Sequence, residues 1–259
     1  MKFVSIKGVG KRYVDLERLL LNLNGLGIES IQDINGLSED LDLRRLELQG
    51  NKLTTIEGLE RLRDLEELYL SGNRISKINS LNSLPHLERL ILNNNNFSKI
   101  HGLEGLTNLR ELSLSLNNIN KIQGLDTLSS LLRLDLRINC ITEIEGLDNL
   151  FNLRILNLHN NNLTNILELP NLYRLEYLNL SKNPLESIEG IQTLINLKEL
   201  FLDNTNVHSI VEELDKLPNL KFLSIKDRLG YIPFEELRYL IEEKGIDILP
   251  YGISPFETF

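Results

Sequence analysis

At 259 residues the chain has the length of one or two ordinary domains. Its formal net charge of −9, from 28 basic and 37 acidic residues, speaks against nucleic acid and anionic membrane as main partners. The single cysteine, Cys140, excludes an internal disulfide framework and fits a reducing compartment; no run reaches transmembrane length, the N-terminus lacks a secretory apolar core, and the expected localisation is cytoplasmic.

Residues 1–23 precede any repeat. Phe3-Val4-Ser5-Ile6 alternates and predicts a short strand, whereas Val14, Leu16, Leu19, Leu20 and Leu23 predict a helical face. This segment reads as an N-terminal cap, because a solenoid needs its first coil covered. A weakened repeat follows, with Leu26, Ile31, Ile34, Gly36 and Leu37 in register but Glu29 at the position later held by asparagine.

From residue 43 onward one pattern recurs. Asn51, Asn73, Asn95, Asn117, Asn139, Asn161 and Asn183 are each 22 residues apart (73 − 51 = 22). Around them stand a leucine column from Leu46 to Leu200, a second from Leu48 to Leu202 and an isoleucine column from Ile56 to Ile210. So short a period predicts a solenoid in which each repeat touches only its neighbours. Leu-x-Leu alternates, so each repeat supplies one strand with one buried face, and the strands stack in parallel. The return leg is apolar every third residue (53, 56, 59, 62 and 65), which predicts short turns or 3₁₀ segments in place of a long helix. The asparagine amides are expected to point inward as a ladder, meeting backbone groups that would otherwise be buried unpaired. Gly58, Gly102, Gly124, Gly146 and Gly190 predict tight turns on the return leg, in a column broken by Ser80 and Glu168. Thr205 replaces the ladder asparagine, and the next copy is one residue longer.

The pattern stops after Lys226. Pro233 opens an expected helix with Glu235 and Glu236 in its first turn, an apolar face of Leu237, Leu240 and Ile241, and an end at Lys244-Gly245. Residues 246–249 suggest a short strand, and 250–259, with two prolines, an irregular tail whose Tyr251, Phe256 and Phe259 dock back on the cap. The expected division is therefore a cap over 1–23, a repeat array over 24–226 and a C-terminal cap over 227–259.

The stretch 134–147, LDLRINCITEIEGL, is one copy of a consensus that resembles the 22-residue subclass of leucine-rich-repeat proteins. That subclass includes the leucine-rich regulatory subunit of type-one protein phosphatase, a dynein light chain and the bacterial internalins. The resemblance covers roughly 24–226 and implies an α/β fold, a right-handed curved leucine-rich-repeat solenoid. Its parallel sheet lies on the concave face, 3₁₀ segments and turns on the convex face, and caps at both ends. It implies protein binding without naming a partner.

Three columns of strand residues project from the concave side. The first runs Arg45, Glu67, Arg89, Glu111, Arg133, Ile155, Tyr177, Glu199 and Phe222; its first five alternate in sign and predict a lateral ion-pair ladder. The second contains Tyr69, Ile91, Asp135 and Phe201, and the third His159, Ser181, Asp203 and Lys226. Five basic and six acidic side chains make the face nearly neutral (5 − 6 = −1). His159, Ser181 and Asp203 are in the wrong order for a catalytic triad, since the serine stands in the middle. No metal-ligand spacing, phosphate loop or cofactor motif accompanies them, and the chain is read as non-enzymatic.

The expected function is therefore a monomeric scaffold that binds a protein on its concave face, in the manner of an enzyme's regulatory subunit such as that of a phosphatase. The alternative is an assembly protein that joins copies of itself or a cytoskeletal or motor component. The expected contact residues are Ile155, Tyr177, Glu199, Phe201, Asp203 and Phe222, with a smaller patch at Tyr69 and Ile91. Aromatics ringed by polar groups favour hot spots, and the acidic neighbours favour a partner bringing Arg or Lys. A competing reading has these rings shielding one another, or covered by the tail through Phe256 and Phe259.

Overall fold

The computed structural model describes residues 2–79, 81–166, 169, 172–226 and 232–249. Ser80 and Glu168, which break the glycine column, and the tail 250–259 lie outside the described residues.

The chain is a leucine-rich-repeat solenoid. Its strands are β1 (Phe3–Ile6), β2 (Gly10–Tyr13), β3 (Leu20–Asn22), β4 (Ile34–Asn35), β5 (Arg45–Glu47), β6 (Glu67–Tyr69) and β7 (Arg89–Ile91). They continue as β8 (Glu111–Ser113), β9 (Arg133–Asp135), β10 (Ile155–Asn157), β11 (Tyr177–Asn179), β12 (Glu199–Phe201), β13 (Phe222–Ser224) and β14 (Asp247–Leu249). Among the described residues, eleven strands form one parallel sheet in the order β14 to β5, then β3. Its register pairs the leucine columns directly, Leu46 with Leu68, Leu68 with Leu90 and so on to Leu223. The leucines below the sheet and the isoleucines of the return leg, such as Ile56 and Ile122, are fully buried in one continuous core. Short 3₁₀ turns at Ile31–Asp33, Glu39–Leu41, Leu81–Ser83 and Ile191–Thr193 make up part of the opposite side.

At the N-terminus β1 pairs antiparallel with both β2 and β4, closing the first coil. The helix expected over 14–23 is not formed. Leu20–Asn22 instead lies parallel to β5, and Leu21 and Leu23 are fully buried while Leu16 is 52% exposed. The run Leu19-Leu20-Leu21-Asn22-Leu23 satisfies both periods, and pairing to the exposed edge of β5 gives its backbone partners that an isolated helix end lacks.

At the other end the one-residue insertion is absorbed by a single helical turn, α1 (Val211–Leu214), before β13. The helix α2 (Phe234–Glu242) begins after Pro233 and buries Leu240, and Gly245 ends it at φ 65°. Ile241, expected on the apolar face, is 51% exposed. The strand β14 then adds to the sheet beside β13.

The asparagine ladder holds successive coils together. Asn117 Nδ2 donates to Leu114 O at 3.0 Å and, one repeat back, to Leu92 O at 3.2 Å, while its Oδ1 accepts from Phe97 N–H at 3.1 Å. The same three bonds recur at Asn73, Asn95, Asn139, Asn161 and Asn183. Each amide thus fixes its own turn and clamps the preceding coil. Thr205 supplies a donor to Leu202 O at 2.8 Å, a bond within its own repeat.

Candidate concave binding face

Pairing of β5 to β13 brings each of the first two concave columns into line, strand by strand. In the N-terminal half the first column is an ion-pair ladder. Arg45 meets Glu67 at 3.1 Å, Glu67 meets Arg89 at 3.9 Å, and Arg89 meets Glu111 at 2.9 Å. Among the described residues Glu111 and Arg133 form no ion pair, so the ladder ends one step earlier than its sequence suggests, and Arg133 is exposed.

Tyr69 is built into this ladder. Its hydroxyl donates to Glu67 Oε2 at 2.8 Å and accepts from Arg89 Nη1 at 3.1 Å, and the Arg45 guanidinium lies 4.4 Å from its ring centre. Burial raises the Tyr69 phenol above its ordinary value, with the Arg89 hydrogen bond opposing. Tyr69 and Ile91 are half-buried and face outward together.

A second ion-pair ladder, one residue before the strands, was not anticipated. Arg44 pairs with Glu66, Glu88 with Arg110 at 3.5 Å, and Glu176 with both Arg154 at 3.3 Å and Lys198 at 2.7 Å. Its signal was available in part, since these positions also recur every 22 residues and carry opposite charges at four of the seven steps from Arg44 to Lys198, interrupted by Glu66 beside Glu88 and by Leu132. A further row of asparagines ties the same edge: Asn108, Asn152, Asn196 and Asn219 donate to Pro85, Ser129, Tyr173 and Ile195 carbonyls at 2.6–2.8 Å.

The middle of the face is polar. Asp135 is buried, receives Arg137 Nη2 at 3.0 Å and lies 3.1 Å from the Ser113 hydroxyl. His159 is half-buried, and burial lowers its pKa, with Lys182 and Arg137 adding to the effect against Asp203 and Asp135. Beside it, Ser181 Oγ accepts the Asp203 backbone N–H at 3.2 Å, and the Asp203 carboxylate accepts Ser224 Oγ at 2.8 Å. The hydroxyl and carboxylate of the would-be triad are therefore joined to backbone and to Ser224 in a structural network. No group of residues able to hold a metal ion occurs among the described residues.

The C-terminal half carries the aromatic patch. Tyr177 and Phe222 stand in the first column and Phe201 in the second, so the rings meet diagonally across strands. Their centroids are 5.0 Å apart for Tyr177–Phe201 and 5.2 Å for Phe201–Phe222, both tilted. With Ile155 they form an apolar cluster separate from the core beneath the sheet. The expected contact residues divide by access. Ile155, Tyr177, Glu199 and Phe201 are buried, whereas Tyr69, Ile91, Asp203 and Phe222 keep partial exposure.

On the edge of the solenoid, Phe151, Tyr173 and Ile195 occupy one repeat position and are 49%, 53% and 48% exposed. Cys140 is an exposed free thiol. Among the described residues no helix is long and apolar enough to cross a membrane.

Comparison with known proteins agrees with this architecture. The two-copy leucine-rich-repeat family pattern matches residues 41–83, 63–105 and 85–130, and the single-repeat pattern matches 174–194. No enzyme family is matched, and no curated protein matches the chain. Among solved structures, internalin C2 of Listeria monocytogenes is 29% identical, with 78% of this chain and 89% of that chain covered and a TM-score of 0.68. A leucine-rich-repeat protein of Leptospira interrogans is 28% identical over 74% of this chain, with a TM-score of 0.68; this chain spans only 52% of its length. A chain in an octameric complex of Latrophilin 3, Unc5D and FLRT2, the last contributing a leucine-rich-repeat part, is 26% identical over 81% of this chain and 70% of that chain, with a TM-score of 0.69. These likenesses run to internalins and other leucine-rich-repeat proteins, and the narrower likeness to a phosphatase regulatory subunit finds no support in them. Period, register, asparagine ladder and family match converge, and the chain is a leucine-rich-repeat protein.

Proposed function

We propose that the chain is a non-enzymatic scaffold that receives a protein partner on its concave face. One observation carries this reading: the concave side of the sheet holds an apolar cluster, Ile155, Tyr177, Phe201 and Phe222, that is separate from the repeat core, and Phe222 keeps partial exposure. The columns below the sheet already supply the core, so these residues add little to closing the coils. Leucine-rich-repeat domains typically bind proteins. The accessible contacts are Phe222 and Asp203 at the C-terminal end and Tyr69 with Ile91 nearer the N-terminus. The carboxylates beside them favour a partner that presents Arg or Lys. Regulation of an enzyme, such as a phosphatase, is one form such a scaffold takes, and no residue here singles it out.

The test begins with capture of a partner and measures its affinity for variants of the whole chain. Phe222→Ala and Ile91→Ala are each expected to weaken binding roughly tenfold, the scale of a moderate hot spot. Tyr173→Ala, on the edge, is expected to leave it unchanged. If the edge substitution removes binding and both concave ones leave it intact, the concave reading is wrong. A second reading, assembly through copies of the chain, is favoured by the exposed column Phe151, Tyr173 and Ile195. It requires a mass in light scattering that rises with concentration and falls back to the monomer in Tyr173→Ala.

A further inference from the structure

The terminal coils of a solenoid ordinarily turn a polar outer face to water. Both ends of this one turn apolar side chains outward. At the N-terminal end, Val4 and Ile6 of β1 are buried in the core. Phe3 and Ser5 alternate with them, so they share the opposite face with their register partners Tyr13 and Lys11 of β2. On that face the Phe3 and Tyr13 ring centroids lie 5.8 Å apart, the Lys11 ammonium sits 4.1 Å from the Phe3 ring centre, and Tyr13 is 55% exposed. At the C-terminal end, the Tyr239 hydroxyl of α2 donates to the Asp215 carboxylate of the preceding coil at 2.7 Å. At about 100° per residue, Ile241 and Phe234 stand about 160° and 140° around the helix from Tyr239. They lie on the side turned away from that coil, where Phe234 is 74% exposed and Ile241 is exposed as well. The two ends also differ in charge. The strands β1, β2 and β4 carry Lys11 and Arg12 and no carboxylate. Asp15, just after β2, accepts the Glu17 and Arg18 backbone N–H groups, and Asp42 is paired with Lys2. The helix α2 carries Glu235, Glu236 and Glu242 against Arg238, which Glu242 already pairs at 2.8 Å, and Asp247 follows in β14.

We propose that copies of the chain associate head to tail. The aromatic, basic outer face of the β1–β2 cap of one copy docks against the apolar, acidic outer side of α2 of the next. Charge selects a second copy, and its opposite end, as the occupant. Two N-terminal ends would set Lys11 and Arg12 against the same cations, and two C-terminal ends would set glutamates against glutamates, whereas unlike ends attract. The apolar groups match in the same sense: Phe3 and Tyr13 offer an aromatic surface to Phe234 and Ile241. Glu235 is exposed and forms no ion pair among the described residues, so its carboxylate is available to Lys11 or Arg12. Such a contact joins different patches on the two copies, so each added copy keeps a free end and the series continues past the dimer. The association leaves the concave sheet open and does not use the edge column of Phe151, Tyr173 and Ile195, so it is independent of both readings given above.

Sedimentation velocity of the whole chain over a concentration series tests this. The weight-average mass is expected to rise past that of a dimer, and to fall back toward the monomer when added salt screens the ends. The N-terminal variant Lys11→Glu, Tyr13→Ser and the C-terminal variant Phe234→Ser, Ile241→Ser are each expected to stay monomeric alone, with far-UV circular dichroism matched to the unaltered chain. Mixed in equal amounts they are expected to form a 1:1 dimer and nothing larger, because one intact end of each kind remains. A mixture that stays monomeric overturns the proposal, as does an unaltered chain that is monomeric at every concentration. A plateau at the dimer in the unaltered chain also overturns it, since two like ends then meet. Assembly that persists in both end variants and is lost in Tyr173→Ala belongs to the edge column and overturns it too.

Discussion

Asn117 shows how much one side chain does in a solenoid. Its amide meets three carbonyls and one N–H, and two of these four groups belong to the preceding repeat. Asn117→Ala leaves them buried without partners, at a cost of roughly 1–3 kcal/mol. The exposed neighbour Asn118 is expected to tolerate alanine within about 0.5 kcal/mol. Urea midpoints distinguish the two, and equal shifts would contradict the assigned inward amide. The position just before the ladder is a second residue-scale constraint. Gly50, Gly72, Asn94, Leu116, Ile138, Asn160, Lys182 and Asn204 all have φ between 53° and 68°. A β-branched residue is strained there, by about 1–2 kcal/mol. Ile138→Asn, which matches Asn94 and Asn160, is therefore expected to raise the thermal midpoint, and a lowered midpoint would show that Ile138 contributes packing worth more than the strain. His159 adds a pH term. Its folded-state pKa is depressed below 6.5 by burial, Lys182 and Arg137. Above the unfolded value both states are neutral and stability is full; as pH falls through it the unfolded chain takes up the proton first, and stability is lost. His159→Gln should lose less stability across that window in urea titrations, and an identical loss would assign the effect to other groups.

At the scale of the element, the return leg is shaped by glycines more than by helix. Gly146 has φ 65°, and a Cβ there would lie 2.6 Å from the Ile122 carbonyl oxygen. Gly8 has a similar φ of 76° with nothing within 4 Å of the corresponding position. Alanine at either site carries the left-handed strain, but only at Gly146 must backbone also move, so Gly146→Ala is expected to cost at least about 1 kcal/mol more than Gly8→Ala. Chemical denaturation of the two variants measures the difference; equal losses would mean that the coils slide apart without resistance. Much of this element structure was legible in the sequence. The 22-residue period fixes which residues share a column, so the strands, the ladder and the ion pairs from Arg45 to Glu111 follow from spacing and charge. Three things were not legible for physical reasons. Residues 14–23 carry apolar side chains at both helical and strand spacing, and only the open edge of β5 decides between them. The left-handed column is hidden because Leu116 and Ile138 occupy it against their own preference. Burial of Tyr177 and Phe201 goes with rings that pack on one another across neighbouring strands, which alternation along a single strand cannot report.

For the whole molecule the order of strands matters more than any one contact. Sequence neighbours are sheet neighbours throughout β5 to β14, so each repeat is stabilised by the two beside it and the ends need covers of their own. The antiparallel sheet of β1, β2 and β4 closes one end, while α2 and β14 extend the other. This arrangement is long in one direction. Eleven strands at about 4.8 Å make ten steps, about 48 Å along the sheet, whereas a compact chain of this length has a radius of gyration of about 18 Å. Small-angle scattering is therefore expected to give a radius of gyration clearly above that value and a distance distribution skewed to long separations. Far-UV circular dichroism should show little helix, because among the described residues the α-helices are confined to Val211–Leu214 and Phe234–Glu242. A symmetric distance distribution at the compact value would mean that the repeats do not stack in one continuous array. The concave face would then not exist as a single surface for a partner.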